Sequence, residues 1–155
     1  MLVVGNFAPG FTYFDAAGTE HSLADARGSW VLIYFYPKDN TPGCTKEACA
    51  FRDQYPKFKK LGILVFGVSV DSAASHEKFV KKYELPFILL ADTEKVLVNE
   101  YDVWGKKKFM GREYMGTARV SFLIDPDGKI AKIYDAVKPE THAEEVLRDL
   151  KVLMK

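Results

Sequence analysis

Four short, continuously apolar runs constrain the fold of this chain most strongly. They are Trp30–Tyr36, Ile63–Ser69, Phe87–Ala91 and Val120–Ile124, and they are rich in β-branched and aromatic residues. A strand that is apolar at successive positions, rather than at alternate ones, buries both of its faces. The runs therefore predict a central sheet that is covered by other elements on both sides.

Helical patterns occupy the intervals between these strands. Apolar side chains recur at helical spacing from Thr41 to about Lys60, and a second helix, capped by a serine at 72 or 75, is predicted to run to position 83. A third helix is predicted near the C-terminus, where Thr141 and Glu144 have the spacing of a capping box. Strands that alternate with helices are typical of α/β proteins.

Two hairpins complete the predicted architecture. The turn sequence Asp125–Gly128 is followed by an apolar return strand, Ile130–Tyr134, and Phe11–Phe14 with Glu20–Ser22 predicts a small N-terminal β-hairpin. We therefore predict a single α/β domain over residues 1–155. Its expected fold is thioredoxin-like: a central mixed sheet flanked by helices, with an N-terminal β-hairpin.

Charge and hydropathy narrow the classes of partner. The chain has 155 residues, with 22 Lys and Arg against 21 Asp and Glu, a net charge of +1. Such a balance provides no general attraction for nucleic acid or for an anionic membrane, so a small-molecule substrate is expected. The longest apolar run is too short to cross a bilayer, and the first residues lack the features of a signal peptide, which predicts a cytoplasmic protein.

The chain has two cysteines, Cys44 and Cys49. In a reducing compartment two thiols rarely form a structural disulfide, which leaves three interpretations: inert buried residues, half of a metal site, or redox chemistry. Two cysteines without neighbouring histidines fall short of a four-ligand zinc site. A thiol–disulfide exchange protein would normally contain Cys-x-x-Cys, and the spacing here is longer.

Other polar residues carry weaker signals. His21, His76 and His142 lie near the starts of predicted elements, so we expect capping or exposed roles rather than metal ligation or general-base catalysis. Lys106–Lys108 is predicted to be an exposed loop, with a docking surface for an acidic partner as the alternative.

The most informative segment leads from the end of the first buried strand into the first helix. Thr41 can act as N-cap, Pro42 suits the first helical position, and Cys44 then falls in the first turn. The free N–H groups and the dipole of a helix N-terminus favour an anion, and the nucleophilic form of cysteine is the thiolate.

The helix terminus alone is too weak to ionise a thiol at neutral pH. An ordinary cysteine has a pKa of ~8.5, and making it mostly thiolate takes roughly 2.7 kcal/mol. A helix N-terminus typically supplies ~0.3–1 kcal/mol. A cation is therefore needed as well, and Arg119, directly before the Val120–Ile124 strand, is the candidate.

The spacing Pro37-x-x-x-Thr41-x-x-Cys44 resembles the active-site motif of the peroxiredoxins. The longer string YFYPKDNTPGCTKEACAFRD is similar to the subgroup called peroxiredoxin Q or bacterioferritin comigratory protein, and so is the segment from Val103 to Asp125. The likeness spans most of the chain.

The resemblance implies roles for individual residues. Cys44 would be the peroxidatic cysteine and Cys49 the resolving cysteine, which joins it in an intramolecular disulfide. Thr41 would hydrogen-bond the peroxide, Arg119 would hold the thiolate and the peroxide oxygens, and Glu47 would position arginine side chains. Outside this motif, Glu47 would be interpreted as a solvated helix residue and Arg119 as a surface ion-pair former.

The resemblance also implies the reaction and its partners. Pro37 and Pro42 would shield the thiolate from water. Hydrogen peroxide and organic hydroperoxides would be substrates, and thioredoxin or a similar dithiol would be the reductant, with no metal or organic cofactor. We expect a monomer that forms at most a weak dimer. A thiol–disulfide exchange protein and a non-enzymatic metal-binding or holdase protein are the alternatives.

Helix geometry adds a requirement of its own. Five residues along a helix rise ~7.5 Å and rotate ~500°, so the side chains of Cys44 and Cys49 are predicted to point ~140° apart. A disulfide usually joins Cα atoms only ~4.4–6.8 Å apart. If the segment is helical when reduced, its first turns must unwind before the two cysteines can bond.

Overall fold

The computed structural model describes residues 2–15 and 17–155, which form nine strands and four α-helices. The strands are β1 (Thr12–Phe14), β2 (Glu20–Ser22), β3 (Val31–Phe35), β4 (Leu64–Ser69), β5 (Ile88–Ala91), β6 (Trp104–Phe109), β7 (Arg112–Thr117), β8 (Val120–Ile124) and β9 (Ile130–Tyr134). The helices are α1 (Pro42–Lys60), α2 (Ala73–Tyr83), α3 (Val96–Glu100) and α4 (His142–Leu153). Over the described ranges, none of them has both the length and the apolar character needed to cross a membrane.

The central sheet is mixed, in the order β5-β4-β3-β8-β9. Strands β3, β4 and β5 are parallel, whereas β8 is antiparallel to both β3 and β9. Two apolar cores lie on opposite faces of the sheet, one beneath α1, α2 and α4 and the other beneath α3 and the N-terminal segment. The structure confirms the predicted mixed sheet flanked by helices, and the β1–β2 pair is the predicted N-terminal hairpin.

Strand β3 accounts for the continuous apolar pattern. Every one of its residues is buried. Leu32 and Tyr34 point into the core beneath α1, whereas Val31, Ile33 and Phe35 point into the core on the other side. Because β3 is the middle strand, both of its faces are covered, which is what its sequence predicts.

The prediction of a loop at Lys106–Lys108 is wrong. These residues lie in β6, which pairs with β7 in a separate two-stranded sheet. The connecting residues Met110 and Gly111 both have positive φ angles, 52° and 80°. A two-residue hairpin turn of this kind usually carries Asn or Asp before the Gly, so Met110 concealed the hairpin.

Two predictions about helix starts and histidines also need correction. Thr141 precedes α4, but its side chain makes no capping hydrogen bond, so the capping box does not form. The ring of His142 instead contacts Ser121 Oγ at 2.7 Å and Glu145 Oε1 at 3.0 Å. His76 and His142 are each only 1 % exposed, because both project from the first turn of a helix towards the sheet.

Asp39 anchors the loop between β3 and α1. Its carboxylate accepts hydrogen bonds from Tyr36 Oη at 2.6 Å and from Ser75 Oγ at 2.8 Å, and His76 Nδ1 lies 2.6 Å from Oδ2. The backbone N–H of Asp39 donates to Asp71 at 2.8 Å. These bonds tie the loop before α1 to α2 and to the segment that follows β4.

Replacing this anchor should destabilise the protein strongly. In Asp39→Ala the buried Tyr36 hydroxyl, the buried His76 ring and the half-buried Ser75 hydroxyl lose their partner, so we expect the free energy of unfolding to fall by at least about 3 kcal/mol. Urea unfolding at neutral pH measures this loss. The control is Asp53→Ala, because Asp53 is 65 % exposed and, among the residues that the structure describes, pairs only with its neighbour Arg52. Similar small losses in both variants would contradict the anchoring role of Asp39.

Candidate active site

Cys44 lies in the first turn of α1 and is only 1 % exposed. The helix begins at Pro42 with Thr41 as N-cap, as predicted. The Thr41 hydroxyl does not cap the helix but donates to the carbonyl oxygen of Lys38 at 2.8 Å. The thiol therefore sits at the positive end of the helix dipole, and the lone pairs of the Thr41 hydroxyl can still accept a hydrogen bond.

Arg119 bridges the thiol and a buried carboxyl group. Its Nη2 donates to Cys44 Sγ at 3.4 Å, and its Nη1 donates to Glu47 Oε1 at 2.6 Å. Because β8 pairs antiparallel with β3 and Val120 lies opposite Phe35, the residue before β8 stands at the carboxyl end of β3. The topology thus brings Arg119 to the start of α1.

Glu47 is fully buried, which sequence reasoning outside the motif did not predict. Burial raises the pKa of Glu47 to about 7, although the guanidinium of Arg119 opposes the rise. Burial alone would lower the pKa of Arg119, but Glu47 and Cys44 outweigh it and raise that pKa above its ordinary value. Arg119 is therefore cationic at neutral pH, whereas Glu47 can exist with or without its proton.

Gly43 is a site residue that the sequence reasoning missed. A Cβ atom at this position would lie only 3.0 Å from Arg119 Nη2 and 3.8 Å from its Cζ. The absence of a side chain lets the guanidinium approach the first turn of α1 closely enough to reach the sulfur. The sequence did contain a sign of this role, because glycine is a poor helix former and yet stands directly before Cys44 in a segment predicted to be helical.

Lys107 is a second cation near the site that the sequence reasoning missed. Its Nζ donates to the carbonyl oxygen of Thr117 at 2.9 Å, and its aliphatic chain lies close over Gly116. Burial and the charge of Arg119 lower the pKa of Lys107, while Cys44 opposes the change. Its position depends on the β6–β7 hairpin, so a sequence reading that lacked the hairpin could not place it.

The structure does not bring Cys49 to Cys44. Both cysteines are free, Cys44 buried and Cys49 half-buried, and α1 is unbroken between them. Cys49 instead lines a groove of about 330 Å³ between α1 and α4. Of the two prolines, Pro37 is half-buried and Pro42 is exposed, so the shielding that the resemblance implies remains a prediction.

Within the described ranges, one cluster has the composition of a metal site: Asp39, Asp71 and His76. Its carboxylate oxygens already accept hydrogen bonds from the hydroxyl groups of Tyr36, Ser75 and Ser69 and from the backbone N–H of Asp39. The His76 ring contacts Asp39 and the carbonyl of Leu90. Protein donors thus occupy the positions that a cation would need. The cluster fits a structural role in holding the loop before α1.

Known proteins resemble this chain over nearly its whole length. The model of the AhpC/TSA family matches residues 4–133. Peroxiredoxin Bcp of Bacillus subtilis (strain 168) is 45 % identical over 150 residues, which is 97 % of this chain and 96 % of that protein. Peroxiredoxin Bcp of Escherichia coli (strain K12) is 44 % identical over 150 residues, with the same two shares.

Solved structures agree with these relatives. Bacterioferritin comigratory protein of Xanthomonas campestris superposes with a TM-score of 0.87 at 37 % identity, covering 94 % of this chain and 92 % of its own. A mutant of PrxQ from Xylella fastidiosa superposes with a TM-score of 0.94 at 33 % identity, covering 100 % and 99 %. These neighbours confirm the thioredoxin-like fold. The chain therefore belongs to the AhpC/TSA family as a peroxiredoxin, and hence as a thiol-dependent peroxidase.

Proposed function

We propose that Cys44 is the peroxidatic cysteine and Cys49 the resolving cysteine of a peroxidase that acts on hydrogen peroxide and organic hydroperoxides in the cytoplasm. A thioredoxin-type dithiol is the proposed reductant. The observation that supports this most directly is the contact of 3.4 Å between Arg119 Nη2 and Cys44 Sγ. This contact places a full positive charge beside the sulfur, which a helix N-terminus alone does not provide.

In the first step the Cys44 thiolate attacks one oxygen of the peroxide. The O–O bond breaks, the sulfur is oxidised to a sulfenic acid, and the other oxygen leaves and takes up a proton as water or an alcohol. Arg119 stabilises the negative charge that develops along the breaking bond. Thr41, whose own proton is donated to Lys38, can accept a hydrogen bond from the O–H group of the peroxide.

In the second step the Cys49 thiol attacks the sulfenic sulfur of Cys44. An S–S bond forms and the sulfenic oxygen leaves as water. In the intact α1 the two residues are separated by ~7.5 Å of helical rise and ~140° of rotation, which a disulfide cannot span. The first turns of α1 must therefore unwind during each catalytic cycle.

The two cysteines should have separable effects. Cys44→Ser should abolish peroxidase activity, because only a thiolate attacks the O–O bond at a useful rate. Cys49→Ser should keep the first oxidation of Cys44 fast, but the sulfenic acid should persist and over-oxidise to sulfinic acid as peroxide rises. Stopped-flow oxidation, with thiols counted before and after, measures both effects.

Substantial dithiol-coupled turnover in Cys44→Ser would overturn the assignment. In the parent protein, oxidation should lower the helix content and expose amides of the segment 42–49 to hydrogen exchange. An oxidised protein that keeps an unbroken helix through both cysteines would exclude the intramolecular disulfide, and Cys44 would then need a thiol from another molecule.

Arg119→Met should slow the oxidation of Cys44 by about a hundredfold, the usual effect of losing a charged donor to a developing anion. Arg119→Lys should recover only part of the rate, because an ammonium group cannot contact Glu47 and Cys44 in the forked geometry of a guanidinium. An unchanged oxidation rate in Arg119→Met would remove Arg119 from the site.

Glu47 should impose a pH dependence on stability. Since burial raises its folded-state pKa to about 7, the neutral carboxyl group is favoured in the folded protein, and this contribution is lost as pH rises from about 4.5 through 7. Relative to Glu47→Gln, the parent should therefore lose up to a few kcal/mol of unfolding free energy between pH 5 and pH 8. Urea unfolding across this range measures the difference, and parallel curves would contradict the raised pKa.

A further inference from the structure

A continuous groove runs between α1 and α4, and Cys49 lies at one end of it. Around the thiol the groove has a volume of about 330 Å³, and beyond it the groove widens to about 460 Å³. Gln54 and Glu144 line both parts, so the two are contiguous. Between Cys49 and Lys60, the groove extends over 11 residues of α1, or about 16 Å along the helix.

The two ends of the groove carry opposite charge. Beside Cys49, the single cation Lys46 faces three carboxylates, which belong to Asp53, Glu140 and Glu144. At the far end four cations surround an apolar floor formed by Leu61 and Leu147, and only Glu144 opposes them. The four cations are Lys57, Lys60, Arg148 and Lys151.

The helix dipole explains only part of this arrangement. Lys57, Lys60 and Lys151 lie in the last turns of their helices, where cations are favourable. The dipole does not require them to face one another and Arg148 across an apolar floor. Among the residues that the structure describes, none of the four forms an ion pair. Four exposed cations that form no ion pair and face a single carboxylate repel one another, and an anionic surface would remove that cost.

We propose that this α1–α4 groove is the docking surface of the protein reductant. The occupant is a dithiol protein whose thiols meet Cys49 and whose surface about 16 Å away from those thiols is acidic. Because the groove is acidic near Cys49 and basic at the far end, the acidic surface of the partner should lie over the far end, with its thiols over Cys49. The inference rests on the proposed function, since it requires a protein dithiol to reduce the Cys44–Cys49 disulfide.

The exchange step follows from the exposure of the two sulfurs. A partner thiolate attacks the sulfur of Cys49, the more exposed cysteine in the reduced protein, the S–S bond breaks, and Cys44 leaves as a thiolate. The second partner thiol then attacks the mixed disulfide and releases Cys49. The partner is oxidised to its disulfide and the peroxiredoxin regains two thiols.

The basic end of the groove is suited to both redox states. Disulfide formation must unwind α1 between Cys44 and Cys49, whereas Lys57 and Lys60 follow Phe51, which is fully buried in the core. The docking end can thus keep its helical structure while the unwound end presents the disulfide.

The test combines charge reversal with two reductants. In Lys60→Glu/Arg148→Glu, we expect the KM for thioredoxin, recycled by its reductase and NADPH, to rise by about tenfold with little change in kcat. The salt dependence of kcat/KM should weaken as well. Turnover with dithiothreitol and stopped-flow oxidation of Cys44 should both stay at the parent values. Both residues are exposed, so the substitutions should leave the fold intact.

Matched controls separate position from charge. Lys59→Glu changes a residue in the same turn of α1 that lies outside the groove, and Lys106→Glu changes the other basic segment, on β6. Neither control should raise the KM for thioredoxin.

An unchanged or lower KM in the double variant would overturn the docking surface, and a rise confined to Lys106→Glu would move docking to the hairpin. If thioredoxin failed to reduce the parent while dithiothreitol succeeded, the protein reductant and its groove would both be rejected, but the peroxidase would stand. Failure with both reductants would reject the proposed two-cysteine cycle.

Discussion

The guanidinium of Arg119 is the contact on which the reduced site depends. It links residues 72 and 75 positions away, through Glu47 and Cys44, and so holds the first turns of α1 against the start of β8. A helix N-terminus typically contributes less than the free energy needed to ionise an ordinary thiol. The guanidinium adds a positive charge and a hydrogen-bond donor in contact with the sulfur. Gly43 makes this possible, because any larger residue would press against Arg119.

If Cys49 resolves Cys44 as proposed, the same turns of α1 must also come apart. Cys44 and Ala48 are each 1 % exposed, so this unwinding would remove their apolar surface from the core and break the contact with Arg119. The new S–S bond would have to offset this loss. In the proposed cycle, the free energy that stabilises the reduced site therefore opposes the resolving step, and a balance between the two sets how long the sulfenic acid survives before Cys49 reaches it.

The sequence predicted the sheet well because strong, local signals specify it. The continuous apolar runs, the Pro42 helix start and the position of Arg119 before β8 all follow from burial, backbone geometry or the motif. The failures involve long-range context. The positive φ of Met110 hid the β6–β7 hairpin and with it Lys107, and the burial of His76 and His142 depends on partners far away in the chain, Asp39 and Ser121. The raised pKa of Glu47 could not be derived from the sequence either, since it results from the full burial of this side chain in the folded protein.

Two anchors lie on either side of the part of α1 that would rearrange to form the proposed disulfide. Before it, the buried hydrogen bonds of Asp39 hold the loop that leads to Thr41, and moving this loop would leave several polar groups unpaired. After it, Phe51 and Phe58 are fully buried in the core shared with α4. Rearrangement is therefore cheapest between these anchors, over about two turns of helix. In the proposed cycle, one helix would thus carry a labile end for the chemistry and a fixed end for binding the reductant.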